Sequence, residues 1–217
     1  MRTLLFGGAL VGAGLVAQAG TEWQLELSRQ DGDPSSSEVY FQSRQSGAPL
    51  QDFAYGPGVL SVVGPDGGSA ETELSTSVLL SESRSIVDAE AYADIDAYVT
   101  VSMDTTIAWS VSTDRPEALA VVDVQRFNTA TSRYERLFRS RVVGPGGSDS
   151  GTFELLAGTS YLLITEAEVD GSSSNAVAAI TIATPAGCNV ADIAPTLGVL
   201  DIDDVDAFIS AFLAGCP

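Results

Sequence analysis

The chain contains no lysine and no histidine, and only two cysteines and two tryptophans in 217 residues. Without histidine, Ser-His-Asp and Cys-His catalytic arrangements cannot be assembled, and neither can zinc sites of the usual imidazole type. Two thiols are too few for the four-thiolate zinc and iron–sulfur sites within one chain. Side-chain catalysis is left with carboxylates, as in glycosidases. Positive charge is scarce, with 10 arginines against 29 acidic residues and a formal net charge of −19. Such a surface repels nucleic acid and anionic membrane, which both require Arg or Lys against phosphate. It suits calcium and solubility in salty water. Long apolar runs are lacking beyond the first twenty residues, so no transmembrane segment is expected in the mature chain.

The opening stretch, MRTLLFGGALVGAGLVAQAG, has a positive Arg2, an apolar run from Leu4 to Val16 and a small-x-small site at Ala17-Gln18-Ala19. This pattern predicts a secretory signal peptide over residues 1–19 and a secreted, extracellular or cell-surface protein. Loss of Arg2 takes the formal charge from −19 to −20. About 198 residues remain, enough for one ordinary domain and a small appendage. In an exported chain two cysteines most simply pair, so Cys188 and Cys216 are expected to form a disulfide. Closing a loop of about 29 residues is worth roughly 3–4 kcal/mol in the chain-entropy model.

Residues 20–184 read as β-structure, with apolar and polar residues alternating between Gly, Pro, Ser and Asp punctuation. The longest alternation runs from Ser85 to Met103. Ala89, Ala91, Ala93, Ile95, Ala97, Val99 and Val101 share one face, and Glu90, Tyr92, Asp94, Asp96, Tyr98 and Thr100 the other. Alanine is a poor strand former, so a bend or break is expected inside this run. Its small side chains predict close packing against a second sheet. Leu74–Leu80, Ile107–Ser112, Leu119–Phe127, Arg133–Val143, Gly151–Leu156, Ser160–Val169 and Ala176–Ala183 are further strand candidates. Some ten strands at this spacing predict a two-sheet antiparallel sandwich of jelly-roll type. The run from Gly151 to Gly171 resembles the penultimate hairpin of secreted bacterial jelly-roll modules, which implies Phe153, Leu155, Leu162 and Ile164 facing inward around Ala157-Gly158.

A different composition begins at residue 185. Asp192, Asp201 and Asp204 flank Gly198 in an Asp-rich loop, followed by a helix pattern with Val205, Phe208, Ile209, Phe212 and Leu213 on one stripe. Cys188-Asn189, Ala191-Asp192, Ala194-Pro195, Gly198, Leu200-Asp201, Asp204, Ala207-Phe208 and Phe212 make residues 185–217 similar to the GC-type dockerin-like C-terminal modules of exported planctomycete proteins. The resemblance implies export and anchoring to a cohesin-like or cell-envelope protein partner. A standard dockerin has two loop–helix repeats, and one is present here. A calcium ion would draw on Asp192, Asp201 and Asp204, with Thr196 and carbonyls completing the set; otherwise the acids cap the helix and the disulfide holds the fold. Val205, Phe208, Ile209 and Phe212 either pack on their own loop or meet the partner.

Three other constellations stand out. Arg126, Arg133, Arg136, Arg139 and Arg141 lie close together in sequence, as a site for acidic glycans or as a hairpin paired with surrounding carboxylates. Asp94 and Asp96 share a strand face, as a carboxylate pair, metal ligands or a solvated surface. Trp23, Trp109, Tyr92 and Tyr98 offer rings that stack on sugars or fill a core. The leading expectation is a non-enzymatic exported sandwich anchored by its C-terminal module. The alternatives are a carbohydrate-binding sandwich with a polysaccharide partner and, last, a carboxylate glycosidase.

Overall fold

The computed structural model describes residues 25–26, 34–45, 48–65, 67–86 and 88–183. The signal segment, Trp23 and the whole C-terminal module lie outside the described residues, and so do Cys188, Cys216, Asp192, Thr196, Asp201, Asp204, Val205, Phe208, Ile209 and Phe212.

Thirteen strands and no helix occupy the described residues. In chain order they are β1 (Leu25–Glu26), β2 (Ser36–Ser43), β3 (Leu50–Tyr55), β4 (Gly58–Val63), β5 (Ser69–Leu74), β6 (Val78–Ser85) and β7 (Ala89–Val101). Then follow β8 (Thr105–Thr113), β9 (Ala118–Asn128), β10 (Arg133–Val143), β11 (Ser148–Leu155), β12 (Ser160–Gly171) and β13 (Ser174–Ile182). They form two antiparallel sheets. One has the order β10-β9-β12-β7-β2-β3, with β1 added against β7; the other is β11-β8-β13-β6-β5-β4. From β6 onward every connection crosses between the sheets except the β9–β10 hairpin.

The alternation of β7 holds along its whole length, so the expected bend inside the alanine run does not occur. Each alanine faces inward on a central strand paired on both sides, and that pairing outweighs the weak strand propensity of alanine. The expected close packing is present. One core cluster is built from small residues, among them Ala89, Ala91, Ala93, Ala118, Ala167 and Ala176. Near it the sheets approach closely enough for buried serines of β6 to reach the opposite backbone. Ser83 Oγ donates to Ala167 O at 2.8 Å, and Ser81 Oγ to Thr165 O at 3.0 Å. The other cluster holds the large side chains, including Ile95, Ile107, Trp109, Leu155, Tyr161 and Leu163. Phe41 seals the narrow end with its ring pressed on the β4–β5 turn; a Cβ at Gly64 would lie 1.9 Å from Phe41 Cε1.

Two local expectations need correction. The Leu74–Leu80 run straddles a turn, since Leu74 ends β5 and Val78 opens β6. Gly151 to Gly171 is not a hairpin: β11 pairs with β8 in one sheet and β12 with β7 and β9 in the other. Leu155 is buried and Phe153 packs against the core, but Leu162 and Ile164 face outward. The inward set of β12 is Tyr161, Leu163, Thr165, Ala167 and Val169. Tyr161 wins the inward position because its ring fills the wide end of the core while its hydroxyl accepts the Leu156 N–H at 3.0 Å.

Candidate functional site

Alternation on six neighbouring strands sets the outward face of the seven-stranded sheet. One cross-strand row runs Arg141, Val121, Glu166, Asp94, Glu38, Phe53 from β10 to β3. The next runs Arg139, Asp123, Ile164, Asp96, Ser36, Tyr55. On the other side of the first lie Glu168, Tyr92 and Tyr40 in register, then Asp170, Glu90 and Gln42. Three carboxylates therefore stand directly opposite one another on three hydrogen-bonded strands, an arrangement that destabilises a sheet.

Glu38, Tyr40, Glu90, Tyr92 and Glu168 line an open groove of about 350 Å³ on this face. The Tyr40 hydroxyl donates to Gln42 Oε1. Arg44 stands at the groove's end and pairs with Asp170 and, at 3.7 Å, with Asp88. The electrostatics follow from partial burial among like charges. Burial, then Asp96, Glu166 and Glu38, push the Asp94 carboxyl up to about 7 against a weaker opposing bond from the Ile95 backbone. Burial holds Asp96 above the usual carboxylate range. Glu168 is raised by burial first and then by Glu166, Glu90 and Asp170, with Arg141 opposing. The Tyr92 hydroxyl is pushed up by burial and by the four acids around it, Asp94, Glu166, Glu38 and Asp96.

Aromatic rings frame the acids. At the β3 edge Phe53 and Tyr55 make an edge-to-face pair with centroids 4.8 Å apart. At the far end of β7, Tyr98 meets Tyr134 of β10 at 5.7 Å, and Tyr134 meets Phe127 of β9 at 5.2 Å. Strands β12 and β9 lie between β7 and β10, so these two tyrosines reach toward each other over Leu162 and Gln125.

The residues singled out in the sequence separate cleanly. Tyr92, Tyr98, Asp94 and Asp96 come together on this face. The two aspartates are half-buried among carboxylates, not a freely solvated pair. Trp109 is 8% exposed and packs on Phe138 at 4.7 Å, so it is core and no sugar platform. Arg136 and Arg139 converge on the buried Asp123 at 2.6 and 3.8 Å, which fits the paired hairpin better than an anion site. Asp123 Oδ1 has no hydrogen-bond partner. Among the described residues no group of three or more His, Cys, Asp or Glu is arranged to hold a metal ion. Sequence reasoning missed Glu38, Tyr40, Glu166, Glu168, Phe127 and Tyr134. The alternation of Ser36–Ser43 was the available signal for the first two, since it turns Val39 and Phe41 inward and Glu38 and Tyr40 outward.

No family model matches this chain. No curated protein matches it either. Several solved structures are similar to it at a low level. A carbohydrate-binding module of the β-sandwich superfamily is 9% identical with a TM-score of 0.32, covering 70% of this chain and 76% of its own. A family 4 carbohydrate-binding module is 9% identical with a TM-score of 0.29, covering 58% of this chain and 85% of its own. The K3 adhesin domain of Lys-gingipain from Porphyromonas gingivalis w83 is 16% identical with a TM-score of 0.26, covering 48% of this chain and 74% of its own. At TM-scores of this size none of these likenesses bears on fold or function.

Proposed function

We propose that the chain is an exported, non-catalytic polysaccharide-binding β-sandwich of jelly-roll winding, held at the cell exterior by its C-terminal dockerin-like module. The winding is supported by the order β6-β13-β8-β11 facing β7-β12-β9-β10. The observation that carries the binding is the groove in which Tyr40 and Tyr92 stand among Glu38, Glu90 and Glu168. Aromatic faces stack on the apolar face of a pyranose ring. Carboxylates accept hydrogen bonds from its hydroxyls. Like charges held opposite one another on three strands cost stability, which a role in ligand binding would explain better than a role in folding.

Affinity electrophoresis of the full chain through gels containing laminarin, galactan, hydroxyethylcellulose, xylan or mannan tests the reading. At least one polymer should retard the protein, and Tyr92→Ala should relieve the retardation while leaving the thermal transition cooperative. Free migration in all five sinks it. Anchoring and calcium rest on the resemblance of residues 185–217. Calcium titrated into the full chain should release or absorb heat that vanishes with Asp201→Ala together with Asp204→Ala; a flat titration removes calcium from the reading.

A carboxylate glycosidase is the second reading, drawn from Asp94 titrating near neutrality beside Asp96. Reducing sugar released from any of the five polymers, and lost with Asp94→Asn, would favour it.

A further inference from the structure

The groove is one of two aromatic stations on the same face. Tyr92 and Tyr98 are outward residues of β7 six positions apart, which at strand rise separates them by about 20 Å. The second station is larger than one ring, since Tyr98, Tyr134 and Phe127 touch in series across four strands. A hydrophobic core gains nothing from these three rings, because the core clusters lie on the opposite side of the sheet. Between the stations run Asp94 and Asp96, flanked by Glu38 and Glu166. These acceptors suit hydroxyl donors and repel a uronate or sulfate ester.

We infer that this face binds an internal run of a non-acidic polysaccharide along β7, with one stretch of sugars stacked at Tyr92 and another at Tyr98–Tyr134–Phe127. The inference rests on the polysaccharide-binding reading and adds the ligand's length, direction and charge class. Two stations joined by one chain raise affinity with chain length until the ligand reaches both, and no further.

The test uses calorimetry on the full chain. Probes are the disaccharide and hexasaccharide of whichever of the five neutral polymers retards it, together with polygalacturonate. The hexasaccharide should bind at least about tenfold more tightly than the disaccharide, and polygalacturonate should not bind. Tyr98→Ala with Tyr134→Ala should bring the hexasaccharide down to disaccharide affinity. Tyr98→Phe with Tyr134→Phe, which keeps the rings and removes only the hydroxyls, should restore it. Equal affinity for the two lengths, an alanine pair that binds the hexasaccharide normally, or tight binding of polygalacturonate would each overturn the inference while leaving the groove reading in place. Failure of every polymer to bind would instead remove the groove reading itself.

Discussion

The two outward faces of the sandwich are built by the same alternation on the same kind of antiparallel strand, yet they differ in how densely they crowd acids and rings. On the seven-stranded sheet the outward positions of β2, β7 and β12 include tyrosines and carboxylates, half-buried and crowded enough to lift Asp94 to about 7. On the six-stranded sheet, β11, β8 and β13 turn out mainly small side chains such as Ser148, Ser150, Thr152, Ser110, Ala108, Ala179 and Thr181, with Glu154 near the end of β11, while Glu71 of β5 stands opposite Glu82 of β6. Short polar residues solvate most of the second face at little electrostatic cost. The first face goes further than the Glu71–Glu82 pair of the second, since Glu166, Asp94 and Glu38 stand opposite one another on three strands with tyrosines beside them. This crowding of acids and rings is the reason the seven-stranded face is the one proposed for binding.

The sharpest way to break this comparison is to damage what both faces share. Leu163 is fully buried between the sheets, and Leu163→Ala should cost about 3–5 kcal/mol by chemical denaturation. Both faces should be lost in one transition; two separate transitions would mean that the sheets do not share a core. Next in size is Asp123, which is 3% exposed and holds Arg136 at 2.6 Å. Asp123→Ala removes the partner of a charge that can return to water, since half of the Arg136 side chain is exposed. The expected cost is about 1–3 kcal/mol, with a larger salt dependence in the wild type than in the variant. An unchanged denaturation midpoint would show that the arginine pairing is ornamental.

Much of this architecture was legible in the sequence because period-two alternation directly reports which side chains face inward. The bounds of Arg133–Val143 were read correctly, and the parity of Ala89–Val101 was right throughout. The same signal misled at Ser160–Gly171, where Leu162 and Ile164 are as apolar as the inward Leu163 and only packing volume chooses between the two parities. The site was less legible. Tyr92, Asp94, Asp96 and Tyr98 were visible as one outward stripe, but Glu38, Glu166 and Tyr134 join them only through strand order. Pairing of β7 with β2 and β12 brings together residues more than fifty positions apart, and nothing local in the sequence encodes that neighbourhood.

The acidic face also predicts how stability should respond to pH. Asp94 is raised from 3.8 to about 7 in the folded chain, so the folded state favours its neutral form. Its contribution is fully favourable below pH 3.8, is lost as pH rises toward 7, and stays lost above. Asp94→Asn should therefore stabilise the protein at pH 8, on the order of 1–2 kcal/mol on a face that solvent reaches, and change little near pH 3.5. Equal effects at the two pH values would mean that the carboxylates around Asp94 do not repel it.

The smallest expected effect is the one that most sharpens the comparison. Ser110 and Thr152 lie outward and exposed on β8 and β11, away from every acid–tyrosine row. Ser110→Ala with Thr152→Ala removes two solvated hydroxyls, so stability should stay within about 0.5 kcal/mol of wild type. Retardation by polysaccharide should also be unchanged, whereas Tyr92→Ala on the opposite face should abolish it. The two variants differ in which sheet they touch and not in whether the sandwich folds. Lost binding in the serine–threonine variant, with Tyr92→Ala unaffected, would transfer the site to the plain face. It would also leave the crowded carboxylates around Asp94 without a role in binding.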